Sequence, residues 1–295
     1  MTPRRSGTVA VVGRPNAGKS TLLNALVGTK VAIVSDKPQT TRRNLLGIRS
    51  DEEGQIVFVD TPGLHKPLHR LNKAMVAEAR EALREEDVRL LVIDASVPSG
   101  GGDRFALDLL RVAPPPRVAA LAKIDLVAKE KLLPRLAALG ETRLFEAVVP
   151  VSALTGEGLG DLLGVLRSLL PEGEALFPAD VVTTADTKTR IAETIREKFL
   201  ERTREEIPYG LGILVEELRR DAAKNLTVVK ATIVVDKDGH KGIVLGSGGR
   251  VLKDAGTAAR QDLERTFGGK FFLDLVVVAR PGWREDARFL AGLTS

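Results

Sequence analysis

The sequence predicts an α/β domain, with helices on both faces of a mostly parallel sheet, followed by a smaller α+β domain. Three observations predict it. From residue 8 to about residue 170, short apolar runs alternate with amphipathic stretches, the pattern of strands joined by crossover helices. A glycine-rich octapeptide, Gly13-Arg14-Pro15-Asn16-Ala17-Gly18-Lys19-Ser20, joins the first apolar run to the first amphipathic stretch. Beyond residue 186 the order changes to helix, two strands, a short helical turn, a long helix and a strand.

The first run, 8–12, reads as a buried parallel strand, and the stretch from Ser20 places Leu22, Leu23 and Leu26 on one helical face. The octapeptide between them fits the phosphate-loop pattern G-x-x-x-x-G-K-[ST] at every fixed position. Glycines let the backbone wrap a phosphate, and the N–H groups of a helix start supply donors at the positive dipole end. Lys19 is expected to reach the β- and γ-phosphates, and the Ser20 hydroxyl to ligate Mg²⁺. Further strands are predicted at 45–49, 56–59, 88–93, 118–121 and 147–151, and helices starting near residues 71, 103, 129 and 159. Ligand residues belong at the carboxyl ends of such strands.

After the third strand comes Asp60-Thr61-Pro62-Gly63. The Asp60 carboxylate suits a second Mg²⁺ contact through water, and Gly63 can bring its N–H against a γ-phosphate. Alone, D-x-x-G also describes a turn after a strand; some forty residues after a phosphate loop it points to phosphoryl chemistry. Between the two lies Gln39-Thr40-Thr41-Arg42 in a polar stretch, where a threonine hydroxyl can complete a metal shell; residue type alone fits a solvated loop equally well. Further on stand Ala122-Lys123-Ile124-Asp125 and Ser152-Ala153-Leu154, each after a strand. Asp125 can accept two hydrogen bonds from the N–H edge of guanine, the Lys123 stem can lie over the base, and the Ala153 N–H can meet the guanine carbonyl.

The chain has 295 residues, ample for two domains. Apolar content of 43% and charged content of 28% suit a soluble globular protein. No cysteine is present, which excludes disulfides and thiol chemistry and fits a reducing cytoplasm. No signal-peptide pattern precedes the first strand, and no run is long enough to span a bilayer. A net charge of +5 fits an anionic partner and fits arginine-rich composition equally well. His65, His69 and His240 are read as solvated; three histidines without cysteine give no transition-metal spacing.

In the second half, 187–203 carries Ile191, Ile195, Phe199 and Leu200 at helical spacing, and 211–218 and 226–235 read as an antiparallel strand pair. Residues 242–245 lead into Gly246-Ser247-Gly248-Gly249; a long helix follows over 250–267, then a strand over 271–278. Gly246 and Gly249 permit close approach of a sugar-phosphate backbone, and Lys241, Arg250 and Lys253 supply charge. Ile243, Val244 and Leu252 are apolar enough for a groove floor under unstacked bases, and equally for core.

The four motifs of the first half resemble those of translation-factor-type GTPases, and Gln39-Thr40-Thr41-Arg42 with Asp60-Thr61-Pro62-Gly63-Leu64-His65-Lys66 resemble the Era family. Ile243 to Lys253 resembles the K-homology (KH) signature, and Arg280-Pro281-Gly282-Trp283 resembles the family's C-terminal end. The resemblance spans nearly the whole chain. It implies a P-loop GTPase domain over 6–170, a linker over 171–186, an α+β type II KH domain over 187–282 that contacts RNA through Lys241, Gly246, Ser247, Gly248, Gly249, Arg250 and Lys253, and a tail over 283–295. GTP and GDP would be held by residues 13–20, 60–64, 122–125 and 152–153, with Mg²⁺ on Ser20, Thr41 and Asp60, and with Lys19, Thr41 and Gly63 serving catalysis. The implied partners are the 3′ end of 16S ribosomal RNA and the maturing 30S subunit. The implied setting is a cytoplasmic monomer with peripheral contact at the inner membrane face. Relatives that act in transfer-RNA modification lack the KH signature and carry cysteine chemistry.

Three positions stand out. Leu64 occupies the place of a water-orienting residue and cannot hydrogen-bond, so slow intrinsic turnover is expected, or an RNA chaperone gated by nucleotide with negligible turnover. Asn16 matches the position that binds K⁺ in relatives with the same apolar replacement, although loop-shaping hydrogen bonds explain an asparagine there as well. The family has asparagine where this chain has Ala122, a side chain that ties the base-recognition loop to the phosphate loop. Loss of that bond costs about 0.5–1.5 kcal/mol, up to roughly tenfold in affinity. Nucleotide binding is expected to be weakened with guanine preference kept by Asp125; competition between GDP and ADP for the protein checks this, and equal displacement by the two would refute it.

Overall fold

The computed structural model describes residues 4–37, 40–41, 44–64 and 70–286. Gln39, Arg42, His65, Lys66, His69 and the last nine residues, all named above, lie outside the described residues. The main division into two compact units falls between Thr184 and Ala185.

In the first unit the chain runs β1 (Arg5–Val12), α1 (Lys19–Val27), β2 (Leu45–Asp51), β3 (Gly54–Asp60), α2 (Arg70–Glu85), β4 (Val88–Asp94), α3 (Gly101–Val112), β5 (Arg117–Ala122), α4 (Lys129–Glu141), β6 (Ala147–Val151) and α5 (Leu159–Leu169). The strands form one six-stranded sheet in the order β2-β3-β1-β4-β5-β6. Only the β2–β3 hairpin is antiparallel. Alternation along β1 sends Val9 and Val11 to one face, where they pack with Leu22, Leu26, Phe58, Leu162 and Leu166. Val12 goes to the other, with Leu64, Leu91, Ile93, Ala106, Leu110 and Leu121. Central strands buried on both faces explain their continuous apolar runs. The carboxyl ends of β1, β3, β4, β5 and β6 deliver Gly13, Asp60, Asp94, Lys123 and Ser152 to one edge of the sheet.

The stretch read as a linker is fastened to this unit through most of its length. Pro171 O accepts from Ser6 N at 3.1 Å, Gly173 N donates to Arg4 O, and Ile48 N donates to Val182 O at 2.9 Å. Gln55, fully buried in β3, uses its whole amide: Oε1 accepts from Leu176 N and Phe177 N, and Nε2 donates to Ser50 Oγ and Phe177 O. A buried amide needs those partners, and the segment supplies most of them.

The second unit holds α6 (Thr187–Leu200), β7 (Gly212–Asp221), β8 (Leu226–Val235), α7 (Asp238–Leu245), α8 (Arg250–Phe267) and β9 (Lys270–Ala279). Its sheet order is β7-β8-β9, with β7 antiparallel and β9 parallel to β8. Asp186 caps α6 by accepting from Thr189 N at 2.7 Å. Ile191, Ile195, Phe199, Ile213, Val229, Ile233, Val244, Ala255, Ala259 and Leu263 make the core. Lys198 of α6 reaches Asp262 of α8 at 2.7 Å. Trp283, expected to begin the tail, is 1% exposed and donates Nε1–H to Gly210 O at 3.3 Å, so it belongs to the body of this unit. Among the described residues no helix is long and apolar enough to cross a membrane.

Removal of a fully buried indole typically costs about 3–5 kcal/mol. Trp283→Ala is expected to lower the stability of the second unit by that order, read in a denaturant titration followed by far-ultraviolet circular dichroism. Because Trp283 is the sole tryptophan, the indole fluorescence of the unchanged protein reports the same transition.

Candidate functional site

The loop between β1 and α1 can be made only by the residues it has. Gly13 takes φ +157°, and a Cβ there would stand 2.5 Å from Val92 O. Asn16 sits at φ +61° and Gly18 at φ +101°, both left-handed, which turns successive backbone groups toward one concavity. No side chain caps α1 and its first turn carries no acidic residue, so its N-terminal donors face this loop. Lys19 is 6% exposed, and its Nζ donates to Gly13 O at 3.2 Å and Arg14 O at 3.3 Å.

Asp60 is fully buried beside it. Its Oδ2 accepts from Ser20 Oγ at 2.8 Å and from Thr41 Oγ1 at 3.0 Å, and the two hydroxyls stand 2.9 Å apart. Among the described residues Asp60 Oδ1 has no hydrogen-bond partner. Burial pushes the Asp60 carboxyl up, against the pull of the Lys19 charge and of the Ser20 and Thr41 hydroxyls. Burial likewise pushes the Lys19 ammonium down, with the Asp60 charge opposing. Two opposite charges are thus held out of water, one with an oxygen to spare. Three converging hard oxygen atoms fit Mg²⁺, which takes oxygen ligands and few carboxylates. Among the described residues no cluster of three His, Cys, Asp or Glu offers an alternative metal site.

Thr61 is fixed by bonds from its N and Oγ1 to Val11 O, at 3.2 and 2.9 Å. Pro62 is buried, and Gly63 lies so close to the phosphate loop that a Cβ would meet Pro15 Cα at 2.9 Å. Leu64 N donates to Gly13 O at 3.0 Å while its side chain is fully buried in the sheet core with Val12, Ile93 and Ala106.

The base-recognition segments lie at the ends of β5 and β6. Ala122 is 4% exposed, paired with Val151, and its O accepts from Ala95 N. Lys123 takes φ +63° and donates from Nζ to Asn16 O at 2.8 Å and Asp94 Oδ2 at 2.7 Å. Ile124 turns inward to the core. Asp125 is exposed, with Oδ1 accepting from the fully buried Ser152 Oγ at 2.6 Å; the half-buried Ala153 follows. One carboxylate oxygen is thereby oriented by the protein, which fixes the plane in which Asp125 can meet a planar partner.

In the second unit Gly246 takes φ +71°, where a Cβ would meet Val251 Cγ2 at 2.5 Å; Gly248 and Gly249 are left-handed and face open space. Ser247 lies between them, exposed, and α8 starts uncapped at Arg250. Lys241, Arg250 and Lys253 are exposed, and Arg250 reaches Asp254 at 3.7 Å. The apolar residues divide: Val244 is core, Leu252 is half-buried and Ile243 is 53% exposed. The expectation that His240 is solvated is overturned. His240 is 8% exposed, because it stands one turn before Val244 on the inner face of α7.

Known proteins resemble this chain over nearly its whole length. A family model described as 50S ribosome-binding GTPase matches residues 8–123, and one described as KH domain matches 206–284. The curated GTPase Era of Alkaliphilus metalliredigens is 42% identical over 98% of both chains, and that of Geobacter metallireducens is 42% identical over 99% of this chain and 98% of its own. The chain belongs to the Era family of GTPases. Two solved structures superpose over 99% of both chains at 37% identity: an Aquifex aeolicus Era variant bound to GDP.AlF4−, with a TM-score of 0.94, and Era in complex with MgGDPNP and nucleotides 1506–1542 of 16S ribosomal RNA, at 0.95. This chain is therefore a GTP-hydrolysing enzyme with a P-loop GTPase fold followed by an RNA-binding KH domain.

Asp94 and Asp103 were missed in the sequence. Arg14 of the phosphate loop pairs with both, at 3.2 Å each, and both are 5% exposed. The signal for Asp94 was present: like Asp60, it is a carboxylate that closes an apolar strand.

Proposed function

We propose that this Era-family GTPase binds magnesium GTP in the phosphate loop of its first domain, binds the 3′ region of 16S ribosomal RNA through its KH domain, and acts in maturation of the 30S subunit in the cytoplasm. The observation that carries the nucleotide half is the unpartnered Asp60 Oδ1 beside the Ser20 and Thr41 hydroxyls and the desolvated Lys19. The RNA half is supported by the open glycines and exposed cations around residues 246–253, and by the relative that carries 16S RNA. That relative favours the small subunit over the 50S particle named in the broader family description.

Residues 6–170 supply the nucleotide chemistry and 187–282 the RNA contact. Ser20, Thr41 and Asp60 would hold Mg²⁺, which neutralises charge on the β- and γ-phosphate oxygens. Lys19 exchanges the Gly13 and Arg14 carbonyls for phosphate oxygens, a stronger charge-assisted contact. The N–H groups of Gly18, Lys19 and Ser20 line the phosphates, and the Gly63 N–H meets the γ-phosphate from the opposite side. Asp125 accepts the two guanine N–H donors, the Lys123 stem covers the base, and the Ala153 N–H donates to the base carbonyl. Leu64 turns into the core and orients no water, so intrinsic turnover is slow. Asn16 would hold K⁺, which would supply the positive charge that other systems take from an arginine. The buried Leu64 also favours a second reading, a nucleotide-gated RNA chaperone with negligible turnover. Turnover measured with RNA and K⁺ separates the two.

Lys19→Ala in the full chain is expected to abolish retention of a fluorescent GTP analogue and to leave binding of a 16S 3′-end oligonucleotide intact. Gly248→Asp should do the reverse, since aspartate tolerates the left-handed backbone of that open position and repels phosphate. Retention of both ligands by both folded variants would refute the assignment. Hydrolysis is expected to run faster in potassium than in sodium chloride at equal ionic strength; equal rates would remove Asn16 as an ion ligand.

A further inference from the structure

We propose that Asp94 is a positioning residue that locks the base-recognition loop onto the phosphate loop, so that nucleotide residence time depends on an ion bridge, Arg14–Asp94–Lys123. The inference rests on the nucleotide site described above and deepens it. β4 lies between β1 and β5 in the sheet, and Asp94 is paired with Ala122 at the last position of their register. Its carboxylate therefore stands between the loop that leaves β1 and the loop that leaves β5.

The contacts use both oxygens. Oδ2 accepts from Lys123 Nζ at 2.7 Å and from Arg14 Nη2 at 3.2 Å; Oδ1 accepts from Ser96 N at 2.9 Å and Ser96 Oγ at 2.5 Å. The Lys123 ammonium goes on to Asn16 O at 2.8 Å, at the left-handed apex of the phosphate loop. Arg14 is braced from its other side by Asp103 at 3.2 Å. One buried carboxylate thus grips a cation from each loop. Position 122, by contrast, ends in a methyl group and can tie nothing.

Burial alone would push the Asp94 carboxyl up, but the Lys123 and Ser96 hydrogen bonds outweigh it and hold it below the usual carboxylate range. The Asp94 carboxylate is therefore ionised at neutral pH. A bridge of charge-assisted bonds at a 5% exposed carboxylate is weakened little by solvent screening. None of its members is Lys19, Ser20, Thr41 or Asp60. Its effect falls on how long the nucleotide stays, and the transfer step is left to the other residues.

The test is release of a fluorescent GDP from the full chain, in the wild type, Asp94→Asn, Lys123→Ala and the pair combined. Asp94→Asn keeps its shape and its Ser96 contacts. It is expected to speed release on the order of tenfold, the worth of one charge-assisted bond. Turnover at saturating GTP should stay within about twofold, a split that a general loss of structure would not give. In the Lys123→Ala background the same change should add less than about twofold. Ala122→Asn, which supplies an amide tie of its own, should restore slow release to Asp94→Asn. Unchanged release in Asp94→Asn, or equal effects with and without Lys123, would overturn the proposal. Should Asp94→Asn fail to melt cooperatively, Arg14→Met cuts the other arm of the bridge from a partly exposed position. Release must then also quicken several-fold, and unchanged release overturns the proposal. A wild type that binds no GDP at all would instead overturn the nucleotide site itself, and this inference with it.

Discussion

The first domain depends on two opposite charges held out of water at the ends of parallel strands. Lys19 and Asp60 are each costly where they are, and their mutual attraction offsets only part of the desolvation. Natural cores avoid such an arrangement unless it has a use. Here the fold gives the ammonium two loop carbonyls and leaves one carboxylate oxygen without a partner among the described residues. Under the proposed function an anion and a hard cation arriving together would relieve both. Stability is thereby exchanged for affinity at a single point, and the apolar sheet faces around it keep the point dry.

The two domains, unrelated in topology, share one local device at the helix starts where phosphate binding is proposed. α1 follows Gly18 and α8 follows Gly249, both left-handed, both without a side-chain cap and both without an acidic residue in the first turn. α3, α4, α5 and α7 carry an acidic residue in the first turn, and α6 is capped by Asp186. A carboxylate at a helix start satisfies the free donors and cancels the dipole. Leaving it out keeps donors and dipole for a ligand. In the proposed function that ligand would be a triphosphate in one domain and the backbone of a polynucleotide in the other.

Much of this was legible in the sequence because glycine, lysine and hydroxyl spacings express backbone geometry directly. The loop 13–20, Asp60, Asp125 and the glycines at 246 and 249 fall where their types require, and the two element orders follow from hydrophobic period alone. What was illegible depended on distant partners. The anchoring of 171–182 turns on Gln55, a polar residue in an apolar strand whose partners lie more than a hundred positions away. Trp283 looked terminal because nothing local shows that Gly210 O awaits its indole. His240 looked solvated until α7 proved to start at Asp238, which sets its face. Asp94 was passed over because its strand carries no glycine to mark a loop of known purpose.

Leu64 is packed beneath the sheet rather than beside the phosphates. A residue committed to the hydrophobic interior cannot be recruited to chemistry without opening the core, so under the proposed function the loaded state would have a built-in lifetime that the chain alone does little to shorten. Such a protein would keep time: it would stay charged through a slow step, and whatever finally brings order to the attacking water would decide when the interval ends.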